Sequence, residues 1–156
     1  MKIAVCSDHR GFRAKECVKG VLLRVGHTVQ DFGCNDRASC DYPDLALPAA
    51  ESVARGQNDL GVMICGTGIG MSITANKVPG IRAALCHDEL AAEMARKHND
   101  ANVLCLPADL VGEELIKRVV EVWLNTVFEG GRHLRRIQKI ADFEAHNGSP
   151  EQPSGE

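Results

Sequence analysis

Residues 62–72 read VMICGTGIGMS, and the rest of the chain is organised around this stretch. Its first four residues are apolar and uncharged, as expected of a buried strand, and glycines end the run abruptly. A short helix is predicted at 72–77. The alternating Gly66, Gly68 and Gly70 let successive backbone N–H groups approach a ligand. A turn of this kind before a helix N-terminus predicts a seat for an anion.

Cys65 is predicted to be the last residue of this strand and to face the same turn. Positions beside a helix N-terminus favour the thiolate, which is the reactive form of cysteine. The alternative is structural, because glycines often follow strand ends and cysteine is among the residues most often buried. The stretch alone leaves open whether Cys65 is a reactive thiol or a core residue.

The composition limits the classes of function. A chain of 156 residues suffices for one domain with a sizeable core. A formal net charge of −3, with one Trp, one Tyr and four Phe, gives no case for binding nucleic acid or an anionic membrane. No signal peptide is visible, and no run approaches the about 18 apolar residues of a membrane span. We therefore expect a cytoplasmic protein.

The cysteines favour a reducing compartment. There are seven, an odd number, and no C-x-x-C spacing occurs. Several lie within or at the ends of apolar runs, which fits reduced thiols better than a disulfide framework. Cys34 and Cys40, with His27 nearby, match no common zinc pattern, so we expect no metal site.

Predicted strands and helices alternate along the chain. The strands are predicted at 2–6, 27–32, 59–64, 81–86 and 102–106, and the helices at 14–25, 43–54, 72–77, 87–100, 111–128 and 132–146. This pattern predicts an α/β fold, a three-layer Rossmann-like sandwich with a five-stranded parallel sheet, helices on both faces and an extended C-terminal helix. We expect a single domain over 1–145 and a disordered tail over 146–156.

Candidate ligand groups follow the predicted strands. Ligands of such sheets bind beyond the carboxyl ends of the strands, where Asp8, His9 and Cys65 are expected to share one rim. His98 and Asn99, at the end of a helix, are expected to join them. Plain alternatives exist, because Asp8 can cap a helix and His98 can be a cation at a helix C-terminus.

The glycine pattern argues against a nucleotide cofactor. The dinucleotide fingerprint is G-x-G-x-x-G after the first strand, whereas here G-x-G-x-G follows the third, and no P-loop occurs. On the last helix, Arg132, Arg136 and Lys139 recur at helical spacing. Such a face is usually only solvated, but a pair of arginines can also bind phosphate. Since Gly130 and Gly131 precede this helix, it can reach a second subunit.

Several motifs resemble those of one family. In order they are SDHxGF at 7–12, DYP at 41–43, CGTGIGxS at 65–72, ANK at 75–77, HND at 98–100, NV at 102–103 and EGGRH at 129–133. Together they resemble type B ribose-5-phosphate isomerase, a family that includes subunits of galactose-6-phosphate isomerase. The resemblance covers about residues 1–144.

The resemblance implies an enzyme that interconverts ribose 5-phosphate and ribulose 5-phosphate through an enediolate, without a cofactor. Cys65 would move the proton between C2 and C1, and His98 would open the furanose ring. Thr67 and the amides of the glycine turn would hold the enediolate oxygen. The alternatives are an isomerase of a hexose or tetrose phosphate and a non-catalytic module that binds sugar phosphates.

The resemblance also implies the substrate contacts. Asp8 would bind sugar hydroxyls, with Tyr42 and Asn99 near the sugar, and His9 would contact the phosphate. The glycine turn would contribute its amides.

Arginines of a second subunit would complete the phosphate site. The resemblance implies a homodimer or homotetramer with shared active sites, in which Arg132 and Arg136 reach the phosphate bound by the partner. Two positions are compared with the family pattern. One branch lacks the cysteine and has a catalytic Glu where this chain has Met71; with Cys65 present, the chain resembles the cysteine branch. Many members carry an Arg after the fifth strand, where this chain has Asp109.

Overall fold

The computed structural model describes residues 1–147, in which five strands alternate with helices. The strands are β1 (Lys2–Ser7), β2 (Thr28–Asp31), β3 (Leu60–Cys65), β4 (Ala83–Leu85) and β5 (Val103–Pro107). The helices are α1 (Phe12–Arg24), α2 (Tyr42–Ala54), α3 (Ile69–Ala75), α4 (Glu89–Asn99), α5 (Glu113–Asn125) and α6 (Arg132–Asn147).

The strands form one parallel sheet in the order β2-β1-β3-β5-β4. Helices α1, α4 and α5 pack on one face, around the fully buried Trp123, and α2 and α3 pack on the other, around Met71. The predicted α/β class, the five parallel strands and the helices on both faces are therefore confirmed. Among residues 1–147, no helix is both long and apolar enough to cross a bilayer.

The C-terminal helix α6 extends the chain beyond the sheet. It packs on the fold mainly through α4, and it ends at Asn147, so the first two residues of the predicted tail are helical. The rest of that tail, 148–156, lies outside the described residues. The domain limits of 1 and 145 stay a prediction.

The helix after the glycine turn begins earlier than predicted, at Ile69 rather than Ser72. Gly68, with a φ of 73°, is its N-cap, and Gly70 lies inside the first turn. A left-handed backbone is costly for residues with a Cβ, so glycine at 68 allows the chain to enter the helix at once. The turn is therefore only three residues long, from Gly66 to Gly68.

A buried lysine joins helix α1 to the edge strand β2. The Lys15 side chain is fully buried, and its Nζ donates to both carboxylate oxygens of Asp31 at 2.8 Å. Burial alone would raise the pKa of Asp31, but hydrogen bonds from Lys15, Lys19 and Gly33 lower it below its ordinary value. Local sequence patterns do not predict this pair, because a lysine in an amphipathic helix is normally assigned to the face that is exposed to solvent.

We predict that Lys15→Met lowers the free energy of unfolding by about 3 kcal/mol, because it leaves the Asp31 carboxylate without its buried partner. Lys19→Met is the matched control. Lys19 also contacts Asp31, at 2.7 Å, but from the surface, so its loss should cost no more than about 1 kcal/mol. Urea denaturation of both variants measures the difference, and equal small effects would contradict the prediction.

Candidate active site

A cavity of about 450 Å³ opens at the carboxyl edge of the sheet. It lies where the turns after β1, β3 and β5 meet helices α2 and α3. Six of the predicted site residues line it: Asp8, Tyr42, Cys65, Gly66, Thr67 and Gly70. The structure therefore brings together most of the groups that the sequence placed after the first and third strands.

Backbone hydrogen bonds hold the three turns together. The amide of Asp8 donates to the Ile64 carbonyl at 3.1 Å, and the amides of Ala108 and Asp109 donate to the carbonyls of Cys65 and Gly66, each at 2.9 Å. These bonds continue the sheet ladder past the last strand residues. The floor of the cavity is thus attached to the sheet by backbone hydrogen bonds.

Cys65 combines the two roles that the sequence left open. It is the last residue of β3 and only 5% exposed, yet it lines the cavity. Its Sγ accepts a hydrogen bond from the Gly68 amide at 3.1 Å. The turn that follows the strand therefore orients the sulfur, and the residue is both a packed part of the fold and accessible to a ligand.

Gly70 lines the cavity and also has a packing role. A Cβ at this position would lie 2.6 Å from Cζ of Tyr42, so glycine admits the tyrosine ring against helix α3. At Gly68, a Cβ would collide with Leu85. Glycine at 68 and 70 is therefore also required by packing, and the predicted approach of their backbone N–H groups to a ligand stays a prediction.

Asp8 and His9 organise the turn after β1. Asp8 is 6% exposed, and its Oδ1 accepts the amide N–H groups of Arg10 at 2.9 Å and Gly11 at 3.0 Å. His9 accepts the Cys40 amide through Nδ1 at 3.4 Å, which ties the loop before α2 to this turn. His9 is not among the residues that line the cavity.

An ion pair that the sequence did not predict spans the rim of the cavity. Nε of Arg10 donates to Oδ2 of Asp109 at 2.5 Å, and both residues line the cavity. The two side chains close over Gly66, where a Cβ would lie 2.8 Å from Nε of Arg10. The available signal was the single cation in the turn after β1 together with Asp109, at a position where the family resemblance leads us to expect Arg.

His98 and Asn99 lie at the opposite edge of the sheet. Helix α4 begins after the carboxyl end of β4 and returns to the amino end of β5, so its last residues are near the start of the strands. There, the carbonyl of Asn99 accepts Nε of Arg82 at 2.8 Å. The prediction that His98 and Asn99 share a rim with Cys65 is therefore wrong within one subunit.

Two residues of the EGGRH motif lie beside His98, although the sequence analysis predicted no role for them: His133 and Glu129. The imidazole of His133 stacks on that of His98, with ring centroids 4.2 Å apart and planes 7° from parallel. Oε2 of Glu129 lies 3.9 Å from Nε2 of His98 and 3.8 Å from Nε2 of His133. The Glu129 amide donates to the Lys97 carbonyl at 3.1 Å, which fixes this segment to the end of α4.

This cluster is poorly arranged for a metal ion. Ligand atoms of His98, Glu129 and His133 lie within 4.8 Å of one another. Because the two rings are nearly parallel, their in-plane lone pairs run side by side instead of converging on one point. An ion could engage both imidazoles only after one ring had turned.

Arg132 and Arg136 lie at the same edge as His98. Both are exposed at the start of α6, and Nε of Arg132 approaches Nε2 of His133 at 3.4 Å. Burial, followed by the positive charges of its neighbours, lowers the pKa of His133. His98, predicted to open the ring, and Arg132 and Arg136, predicted to bind the phosphate, thus form one cluster, separate from the Cys65 cavity of the same subunit.

We predict that acidification from pH 7 to pH 5 destabilises the wild-type protein more than His133→Phe. Since the pKa of His133 is below its ordinary value of 6.5, the unfolded chain takes up a proton first as the pH falls. Stability therefore decreases toward acid pH, whereas phenylalanine keeps the stacked ring and does not titrate. Urea denaturation at both pH values tests this, with the exposed His87→Gln as the control. An equal loss in wild type and His133→Phe would contradict it.

Comparisons with known proteins give consistent matches over nearly the whole chain. Residues 3–140 match the family model described as Ribose/Galactose Isomerase. The chain is 44% identical to ribose-5-phosphate isomerase B of Escherichia coli, covering 92% of this chain and 96% of that protein. It is 40% identical to D-erythrulose-4-phosphate isomerase of Pectobacterium atrosepticum, covering 92% and 95%. The solved structure of Clostridium thermocellum ribose-5-phosphate isomerase B is similar at a TM-score of 0.92 and 48% identity, covering 94% and 99%.

Proposed function

Because this chain belongs to the ribose/galactose isomerase family, we propose that its substrates are ribose 5-phosphate and ribulose 5-phosphate. The resemblance to type B ribose-5-phosphate isomerase that the motifs indicated is confirmed by these matches. One observation carries the proposal about mechanism. Cys65 lines a cavity together with Asp8 and Thr67, at the end of a strand and beside a hydrogen-bonded turn.

The proposed chemistry needs one base and a group of donors. Exchange between an aldose and a ketose moves a proton between C2 and C1 and passes through an enediolate, so the base must reach both carbons. Cys65 at the floor of the cavity is that base, and Asp8 binds the sugar hydroxyls. The hydroxyl of Thr67 and the amides of the turn stabilise the developing oxyanion, because fixed donors need no reorganisation during the reaction.

The remaining groups come from a second copy of the chain. His98, Asn99, Arg132 and Arg136 lie together at the opposite edge of the sheet, so in a homodimer this cluster enters the partner's cavity. His98 then opens the furanose ring, and the arginines bind the phosphate together with His9. Histidine suits proton exchange with the ring oxygen because it titrates near neutral pH.

Exposed apolar side chains support such a dimer. Ile69 and Ile73, on helix α3, line the rim of the cavity and are 51% and 58% exposed. On α6, Leu134 and Ile140 are 53% and 48% exposed, in the helix that also carries both arginines. Large exposed apolar patches mark interaction surfaces. If α6 covered the rim of the partner's cavity, its apolar side chains and those of the partner's α3 would bury one another.

The relative from Pectobacterium atrosepticum makes a four-carbon sugar phosphate the second candidate substrate, since it is named as a D-erythrulose-4-phosphate isomerase. A panel of four-, five- and six-carbon aldose phosphates, followed by formation of the ketose, decides between them. We expect the highest kcat/KM with ribose 5-phosphate. Binding of sugar phosphates without turnover of any would instead support the non-catalytic module.

We predict that Cys65→Ala lowers kcat by at least about 100-fold, the usual effect of removing a general base, while ribose 5-phosphate still binds. Steady-state kinetics and calorimetry measure the two effects. The control is Cys17→Ala, which removes a half-buried thiol from helix α1, away from the cavity, and should leave kcat unchanged. A Cys65→Ala enzyme with nearly wild-type kcat would make this cysteine a structural residue.

We predict that inactive Cys65→Ala and His98→Asn proteins regain activity when they are mixed and allowed to exchange subunits. In a mixed dimer, one site carries both substitutions and the other carries neither. Since half of the dimers are mixed and each has one intact site, activity should approach about a quarter of wild type.

The control for this experiment is a mixture of Cys65→Ala and Thr67→Ala. Both residues line the cavity of the same subunit, so every site in the mixed dimer has one lesion and no activity should return. Subunit exchange is verified by mass spectrometry of the mixed species. If exchange occurs and the His98→Asn mixture stays inactive, His98 does not act across the interface.

A further inference from the structure

We infer that Arg10, held in place by Asp109, is a substrate-binding residue that contacts the phosphate group of the sugar phosphate. This inference rests on the proposed function, because it assumes that the ligand of the cavity is a phosphorylated sugar. Arg10 lies in the turn after β1, and Asp109 follows it 99 positions later in the sequence.

Binding of a phosphate in this cavity requires a positive charge, because carboxylates line the cavity. Two carboxylates, those of Asp8 and Asp109, line the cavity, and among the described residues that line it Arg10 is the only cationic one. A phosphate entering beside two carboxylates is repelled unless a positive charge is close. Even if the partner's Arg132 and Arg136 add charge across the interface, Arg10 is the cation that the cavity itself supplies.

Both ends of Arg10 are fixed. Its amide donates to Oδ1 of Asp8 at 2.9 Å, which sets the position of its Cα at the end of β1. Its Nε donates to Oδ2 of Asp109, whose own amide is bound to the Gly66 carbonyl at 2.9 Å. The guanidinium is therefore oriented by Asp109, and the backbone of Arg10 by Asp8, and both of these residues line the cavity.

The geometry leaves the terminal nitrogens of Arg10 available for a ligand. Asp109 accepts a hydrogen bond from Nε, and Nη1 and Nη2 make no hydrogen bond to any of residues 1–147. These two nitrogens form the end-on fork of the guanidinium, which matches two oxygens of a phosphate. Asp109 thus orients the group without occupying the edge that binds the anion.

The ion pair is poorly suited to a purely structural role. The side chains of Arg10 and Asp109 are 59% and 36% exposed, and exposed ion pairs contribute little to folding stability. Gly66 is also constrained by the pair, since any Cβ at this position would displace it. A fixed arrangement of this kind at the mouth of a cavity favours recognition of a ligand.

The test uses binding in the Cys65→Ala background, where no turnover interferes. Calorimetry with ribose 5-phosphate and with inorganic phosphate compares the parent, Arg10→Ala and Arg10→Ala/Asp109→Asn. We expect Arg10→Ala to weaken binding of both ligands by about 10- to 100-fold, as for loss of a charge-assisted hydrogen bond. Adding Asp109→Asn should recover about two- to fivefold of that loss, because the unpaired carboxylate no longer repels the phosphate.

Arg13→Ala is the matched control. Arg13 lies in the first turn of helix α1, and its Nε approaches Oε1 of Glu113 at 3.8 Å. This ion pair is also exposed, but Arg13 does not line the cavity. We expect it to leave both affinities unchanged. The inference is overturned if Arg10→Ala binds both ligands like the parent, if Arg13→Ala is equally impaired, or if adding Asp109→Asn gives no recovery.

Failure of the proposed function would be recognised separately. If the wild-type protein did not isomerise ribose 5-phosphate, the substrate assignment would be wrong, but the dependence of phosphate binding on Arg10 would still be measured. Conversely, if the wild-type protein isomerises ribose 5-phosphate but Arg10→Ala binds phosphate normally, the proposed function stands and the inference about Arg10 is wrong.

Discussion

The parallel direction of all five strands is the constraint on which the arrangement of the site depends. Each connection must return the chain to the amino edge, so a residue after a strand and a residue before the next strand lie at opposite edges. Cys65 is of the first kind and His98 of the second. A reaction that uses both groups at one substrate therefore needs two copies of the fold, placed so that the amino edge of one meets the carboxyl edge of the other.

Within one copy, the carboxyl edge is rigid because its turns share backbone hydrogen bonds. The turn after β1 is bonded to Ile64 of strand β3, and the turn after β5 is bonded to Cys65 and to Gly66 in the turn after β3. The backbone that carries Cys65, Gly66 and Asp109 is thus tied to the sheet. Fixed donors at the site of a developing charge are what stabilisation of an enediolate requires, since reorganisation during the reaction would raise the barrier.

At the amino edge of the sheet, the residues are held together mainly by contacts between side chains. His133 is buried against His98, Glu129 lies beside both rings, and its amide is anchored to the end of α4. Helix α6 follows directly and carries Arg132 and Arg136 into solvent. Because these groups are held as one unit, a second subunit that receives His98 would receive the arginines with it.

The sequence by itself determined the fold class, the strand that ends at Cys65, the glycine turn and the family motifs. Hydrophobic runs and glycines are local signals, and they act over a few residues. Only the tertiary structure decided which predicted groups meet. The pairing of Arg10 with Asp109 and the separation of His98 from Cys65 both follow from the strand order β2-β1-β3-β5-β4 and from the direction of α4. Local patterns do not encode that order, because it results from the packing of helices on both faces of the sheet, which involves residues far apart in the chain.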